Sequence, residues 1–228
     1  MDTAVTYTIR VWLPDRPGAL GAVATRLGGL KGDLQGLEII ERSGGIAVDD
    51  LVVALPAEVP TSLVCREISQ VDGVEVEEIR PLEGVAYDPQ LDALETAAIL
   101  LGSETVDDLA EALCDHICRC IRLSWAAVVD HQDHLLAAHG PTPNVTWLTA
   151  FVAGSPSVGE AGTDNLDLEA LWVPLPATSA SLIVGRDVAF RWRERHRLAA
   201  MARIADSWSK RLGQLSRMRC MAAHPSYG

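Results

Sequence analysis

Residues 11–23 read VWLPDRPGALGAV: an apolar strand, an Asp-Arg-Pro-Gly turn, and a helix that starts with no intervening loop. A chain built this way must lay the helix back across the sheet that holds the strand, because both have an apolar face to bury. The next sixty residues continue in the same grammar. Tyr7–Leu13 is rich in β-branched and aromatic residues and is stopped by Pro14. Between Gly18 and Leu30, the residues Leu20, Val23, Leu27 and Leu30 recur at spacings of three and four, the stripe of an amphipathic helix, and Gly28, Gly29 and Gly32 end it. Leu34–Arg42 alternates as a second strand, Ser43-Gly44-Gly45 is a hairpin turn, and Ile46–Leu55 is a third strand. Pro60 opens a helix through Leu63, Val64 and Ile68, and the Asp72-Gly73 turn leads to a fourth strand at Val74–Arg80. The order βαββαβ over residues 1–80 predicts a ferredoxin-like unit.

Pro81–Pro89 has two prolines, one glycine and no periodicity, and reads as a linker over 81–89. A second domain is expected over 90–219, with a flexible tail at 220–228. Its helices are predicted at Gln90–Leu101 and Thr105–Ile121, with Ser103 as the N-cap of the second. Strands follow at Leu123–Asp130, Leu135–His139, Leu168–Leu175 and Ser181–Gly185. Gly140–Gly162 is loop-like around a short helix near Trp147, and one long helix spans Ala189–Met218. The fold class expected is α+β.

Apolar residues make up 48 % of the 228, ample for two cores. No stretch approaches the roughly 18 to 20 uninterrupted apolar residues of a membrane span. Residues 1–10 lack a basic segment followed by an apolar one, so no secretory signal is expected. Five unevenly placed cysteines do not form a disulfide framework, and the expectation is a reduced, cytoplasmic protein without membrane contact. A net charge of −12 argues against nucleic acid as a partner. From Arg186 to Arg219, however, ten Lys and Arg stand against three acids, while the rest of the chain carries nine basic and twenty-eight acidic residues. This basic helix suits an acidic protein partner, its own acidic body or that of a second copy. Along it, Leu198, Met201, Ala205, Trp208, Leu212 and Leu215 follow steps of three and four, either as a seam between two chains or as one face packed on the domain's own sheet.

The Asp-Arg-Pro-Gly turn concentrates unpaired N–H groups at the positive end of a helix dipole, a setting for a carboxylate or phosphate. Gly18 lets a ligand approach the backbone, and Pro17 suits the first turn of a helix. Asp15 either accepts from a ligand ammonium group or caps the helix. Donors for a carboxylate beside an acceptor for an ammonium are the minimal recipe for an α-amino acid.

On DRPGAL after the first strand, GLKGDLQGLEIIE entering the second, and SGGIAVDDLVVALP as the following hairpin, residues 5–80 resemble an ACT domain. The resemblance implies a regulatory module that binds an amino acid between two copies in a homodimer. It carries over to Asp15, Arg16, Gly18, Ala19 and Leu20 as ligand-binding residues, with partner contacts near Ile39–Arg42. Leu13 stands where better-understood members often carry His, which speaks against a serine-type ligand. Residues 91–215 resemble a GAF domain on LWVPLPATSASLIVGRDVAFRWRERHRLAAMARIADSWSKRL, which implies an α/β/α unit with a central antiparallel sheet and a long C-terminal helix. Such domains sense small molecules or mediate dimerisation. The pocket elements would fall within Gly140–Asp167. An Asn-Lys-Phe-Asp signature for cyclic nucleotides is absent, and no cysteine falls at the usual tetrapyrrole attachment.

Two further clusters carry chemistry-bearing residues. In CDHICRC, residues 114–120, Cys114 and Cys118 share a helical face, while Cys120 points about 160° away from Cys118 and His116 lies off that face. Leu109, Leu113, Ile117 and Ile121 mark these positions as core, so neither a metal nor a cofactor is expected, and a redox role for the cysteines is the alternative reading. In DHQDHLLAAHG, His131, His134 and His139 sit around a strand turn and read as solvated polar residues, with His139 near Trp147 as a pocket-lining alternative. No serine-nucleophile motif, Walker-type glycine loop or GxGxxG occurs. The chain is therefore expected to be a non-catalytic regulatory protein that binds an amino acid. The alternatives are a ligand-free dimerisation scaffold and a redox enzyme.

Overall fold

The computed structural model describes residues 4–82, 89–158 and 168–223, so the centre of the expected linker and the end of the expected tail lie outside the described residues. The chain divides into two compact units, Met1–Asp88 and Pro89–Gly228. Both are mixed α+β with an antiparallel four-stranded sheet.

The first unit comprises β1 (Ala4–Pro14), α1 (Ala19–Gly29), β2 (Asp33–Ser43), β3 (Ile46–Pro56), α2 (Thr61–Ile68) and β4 (Glu75–Pro81). Its sheet order, β2-β3-β1-β4, is the ferredoxin-like arrangement, and every neighbouring pair is antiparallel. Gly44 and Gly45 take positive φ, 60° and 81°, as a two-residue hairpin loop between strands of right-handed twist requires. Ile9, Val11 and Leu13 of β1 and Leu51, Val53 and Leu55 of β3 alternate onto the face that packs with Val23 and Leu27 of α1 and Val64 and Ile68 of α2. On the opposite face Arg10 and Asp50, directly paired across β1 and β3, form a buried bidentate ion pair at 2.7 and 2.9 Å.

The second unit comprises α3 (Pro89–Leu101), α4 (Val106–Ile121), β5 (Trp125–Asp130), β6 (Leu135–His139), α5 (Val145–Gly154), β7 (Ala170–Leu175), a single 3-10 turn (Pro176–Thr178), β8 (Ala180–Gly185) and α6 (Trp192–Ala223). The sheet order is β6-β5-β8-β7. One face, through Val128, Leu171, Leu182 and Val184, packs on α4 and α6. The other, through Ala127, Val129 and Ile183, is covered by Leu148 and Phe151 of α5, so the unit is an α/β/α sandwich. The N-cap of α4 is Thr105 rather than Ser103. Thr105 Oγ1 accepts from the Asp108 N–H at 3.0 Å and Asp108 Oδ2 accepts from the Thr105 N–H at 3.2 Å, a reciprocal box that a serine two residues earlier cannot form. The Ser103 carbonyl instead accepts from the Trp208 indole at 3.1 Å.

The stripe on α6 resolves in favour of packing on the unit's own sheet. Leu198, Met201, Ala205 and Leu212 are buried in the core, and only Leu215 at its end is exposed. Part of the basic run is equally committed. The Arg186 guanidinium donates to the carbonyls of Val188 (3.0 Å), Ile121 (3.2 Å) and Ala189 (2.9 Å), pairs with both oxygens of Glu194, and lies 4.4 Å over the Phe190 ring. Glu194 also accepts from the Arg191 N–H at 2.9 Å, and Arg195 donates to the Phe190 carbonyl at 3.0 Å. Arg186, Arg191, Glu194 and Arg195 are all buried, and the Arg186–Glu194 pair holds the start of α6 to the ends of β8 and α4. Removing Glu194 strands a buried guanidinium. Glu194→Ala is expected to cost about 3 kcal/mol in urea unfolding, whereas Arg203→Ala, on the exposed side of the same helix, is expected to leave the midpoint within about 0.5 kcal/mol.

Candidate functional site

The junction between β1 and α1 is two consecutive turns. The Arg16 N–H donates to the Pro14 carbonyl at 2.8 Å, and the Ala19 N–H to the Arg16 carbonyl at 3.3 Å. In the second turn Pro17 occupies the position that needs φ near −60°, and Gly18, at φ 89° and ψ −14°, the one that needs positive φ: a type II turn. Pro17 therefore precedes the helix instead of lying in its first turn, and the first helical residue is Ala19. Asp15 does not cap α1. Its N–H donates to the Gly45 carbonyl at 2.9 Å, tying the turn to the β2–β3 hairpin, and its carboxylate stands 3.8 Å from Arg42. Among the described residues the N–H groups of Gly18, Leu20 and Gly21 have no protein partner, which leaves three donors at the positive end of α1. Arg16 turns toward Asp72, 3.8 Å away with both side chains in solvent, and Ala19 is buried in the core.

Two residues outside the expected ligand-binding set join Asp15: Arg42, at the end of the stretch expected to contact a partner chain, and Asp49. In β2 one extra residue, Ile40, interrupts the pairing with β3, so that Ile39 faces Asp49 but Arg42 faces Ala47. Without this bulge Glu41 would oppose Ala47. With it, Arg42 lies on the helix side of the sheet, beside Asp15. Asp49 lies on that same side, because it pairs with Val11 of the core. Its side chain is buried at 3 % exposure, and Oδ1 has no hydrogen-bond partner. Burial pushes its carboxyl above the ordinary value of 3.8; Arg42 pulls it back, and Asp15 and Asp50 push it further up. A buried carboxylate without a donor is costly, and Arg42 offsets only part of that cost. The site therefore offers three backbone donors, one exposed acid, one cation and one buried acceptor, a set that suits a ligand carrying both a carboxylate and an ammonium group.

Among the described residues no three His, Cys, Asp or Glu side chains converge to hold a metal ion. Asp130 accepts from the His134 and Gln132 N–H groups, and the first of these is the main reason its carboxyl lies below the ordinary range. His134 pairs with Asp130 at 3.1 Å, and His139 approaches Asp115 of α4 at 3.3 Å rather than Trp147. Trp147 itself stacks on Phe151 and meets Trp125 edge-on, while remaining 43 % exposed at the outer side of α5. The expected pocket segment continues into residues 159–167, outside the described residues. No helix among the described residues is long and apolar enough to cross a membrane.

No family model matches the chain, and no curated protein matches it. Among solved structures, an unknown protein from Galdieria sulphuraria is 16 % identical, with 90 % of this chain and 94 % of that one covered and a TM-score of 0.32. The C-terminal domain of the MgtC protein from Mycobacterium tuberculosis is 15 % identical over 38 % of this chain and 96 % of its own, with a TM-score of 0.30. The GAF domain from Acinetobacter phosphoenolpyruvate-protein phosphotransferase is 11 % identical over 62 % of this chain and 99 % of its own, with a TM-score of 0.39. With all three scores below 0.5, the strand orders given above stand by themselves.

The buried carboxylate sets a direction for stability. With its pKa raised in the folded state, Asp49 holds a proton that the unfolded chain has already released, so stability falls as pH rises from below 3.8 through the folded-state value and stays lowered at neutral pH. Asp49→Asn is therefore expected to stabilise the first unit by about 1 kcal/mol at pH 7, with the gain shrinking toward pH 3 in urea titrations.

Proposed function

We propose that the chain is a non-catalytic regulatory protein whose first unit is an ACT-like module that binds a free α-amino acid at the β1–α1 turn. The observation that carries this reading is the buried Asp49 carboxylate oxygen left without a partner within reach of the Asp15 and Arg42 charges, Asp15 belonging to the turn whose Gly18, Leu20 and Gly21 N–H groups are also without a protein partner. The ligand carboxylate lies on the Gly18, Leu20 and Gly21 N–H groups, and its ammonium group meets Asp49 and Asp15. Arg42 keeps the two acids from repelling each other until the ammonium arrives. The second unit is read as GAF-like, on its sequence resemblance, its α/β/α layering and its long last helix. In this reading it transmits the state of the first unit, and the ligand acts only through its differential affinity for two assembly states.

A homodimer is part of the proposal. Strand β2 is an edge of its sheet, eleven residues long, with Leu34 and Leu37 exposed at 38 and 39 %. An apolar edge of this kind is a template for a second strand, and Arg42 lies on it, so a partner copy there would border the ligand. Leu37→Arg is expected to shift the sedimentation coefficient from dimer to monomer. Unchanged sedimentation would place the dimer surface elsewhere.

The deciding experiment is a thermal-shift screen of the twenty amino acids on the full chain. One or a few are expected to raise the melting temperature, with stabilisation growing to about 2.7 kcal/mol at one hundred times Kd. Asp49→Asn is expected to melt higher than the native chain without ligand, yet to lose the ligand-dependent rise. A flat response to all twenty would overturn the amino-acid reading in favour of a ligand-free scaffold.

A further inference from the structure

His116 and Cys120 are separated by one helical turn on α4 and so share a face, opposite in role to the pair Cys114 and Cys118. The His116 Nε2 atom lies 3.1 Å from Cys120 Sγ and 2.7 Å from Thr96 Oγ1 on α3. His116 and Thr96 are buried at 7 and 2 % exposure, whereas Cys120 is only half-buried. One ring nitrogen has a single in-plane position for a proton or a lone pair, and here thiol and hydroxyl share it. The hydroxyl of Thr96 fixes the ring, and the thiol proton has a base within bonding distance.

The other two thiols of the helix have no such setting. Burial, with Cys118 next to it, pushes Cys114 up to about 12, and burial, with Asp115 next to it, pushes Cys118 up to about 11. Both remain thiols at neutral pH and sit in the apolar core. Around Cys120 the nearby charges are already paired: Arg119 donates to Asp115 at 2.5 Å, and Asp115 lies 3.3 Å from His139.

We propose that Cys120 is a peroxide-oxidisable thiol, with His116 as its base and Thr96 holding that base in place. The Cys120 proton moves to His116 Nε2, which then donates back to the thiolate. The thiolate sulfur attacks one oxygen of hydrogen peroxide and forms an S–O bond. The O–O bond breaks, and the departing hydroxide takes the proton from the imidazolium and leaves as water. Sulfur is oxidised to sulfenic acid and peroxide is reduced, with one water formed per thiol consumed. The proposal concerns the second unit alone and is independent of the amino-acid reading.

The test treats the reduced full chain with limiting hydrogen peroxide and dimedone and assigns each labelled cysteine by peptide fragmentation. Cys65, half-buried on α2, is the internal comparator. Cys120 is expected to label about tenfold faster than Cys65, with Cys114 and Cys118 unlabelled. His116→Gln is expected to bring Cys120 down to the rate of Cys65 at unchanged helix content, and Thr96→Ser, which keeps the hydroxyl, to retain the fast rate. Labelling of native Cys120 no faster than Cys65 overturns the proposal without recourse to any variant. So does fast labelling that survives in a folded His116→Gln chain.

Discussion

The Pro17-Gly18 turn is the constraint on which the first unit and its candidate site both depend. β1 is bonded on both sides, to β3 and to β4, so its direction is fixed by the sheet. With only four residues after Pro14, the chain must be running back as α1 on the helix side. A type II turn does this in one step, with Pro17 pre-set and Gly18 supplying the left-handed φ of 89°. Because the turn closes through the Ala19 N–H, that donor is used up, and the Gly18, Leu20 and Gly21 donors remain. The same geometry that delivers the helix therefore leaves these three donors open. No separate device is needed.

Asp49 and Asp50 show how one residue of register decides the fate of a charge. They are neighbours on β3 and so point to opposite faces. Asp50 meets Arg10 across the strand pair and is satisfied by two short bonds. Asp49 enters the helix side, opposite Val11, and is left with a carboxylate oxygen that accepts nothing. The bulge at Ile40 then brings Arg42 to the same side. A scaffold selected for stability alone would carry an apolar residue at position 49. A buried acid that Arg42 compensates only in part is a local conflict that stability alone does not explain.

In the second unit the basic character of α6 acquires a different meaning once folded. Arg186, Arg191 and Arg195 look in sequence like a surface for an acidic partner, yet all three are buried, with the Arg186 side chain bonded to carbonyls and to Glu194 and the Arg195 side chain to the Phe190 carbonyl. Glu194 is the only acid in the run from 191 to 203, and it neutralises the guanidinium nearest the sheet. The heptad-like stripe is likewise spent on the unit's own core. Both outcomes follow from the short 186–191 connection, which forces the start of α6 against β8 before any partner is available.

The sequence by itself determined everything that depends on neighbours along the chain. Period-two and period-3.6 patterns and the Pro-Gly and Gly-Gly turns act within a few residues, so the βαββαβ order and the helices of both units were legible to within a few residues at most ends, although the pattern places the cap of α4 on Ser103 and not on Thr105. Asp15, Gly18 and Leu20 could be placed at the β1–α1 junction from sequence because a strand-to-helix turn is itself a local object. Asp49, Arg42 and the Thr96–His116–Cys120 cluster required tertiary structure. Arg42 reaches Asp15 only through a bulge in a strand pairing, and Thr96 meets His116 only because α3 packs on α4. The i,i+4 spacing of His116 and Cys120 was present in the sequence, but spacing alone does not tell a core-facing pair from a reactive one. Register and packing are fixed by apolar burial summed over a whole sheet or bundle, and no short stretch of chain contains that sum.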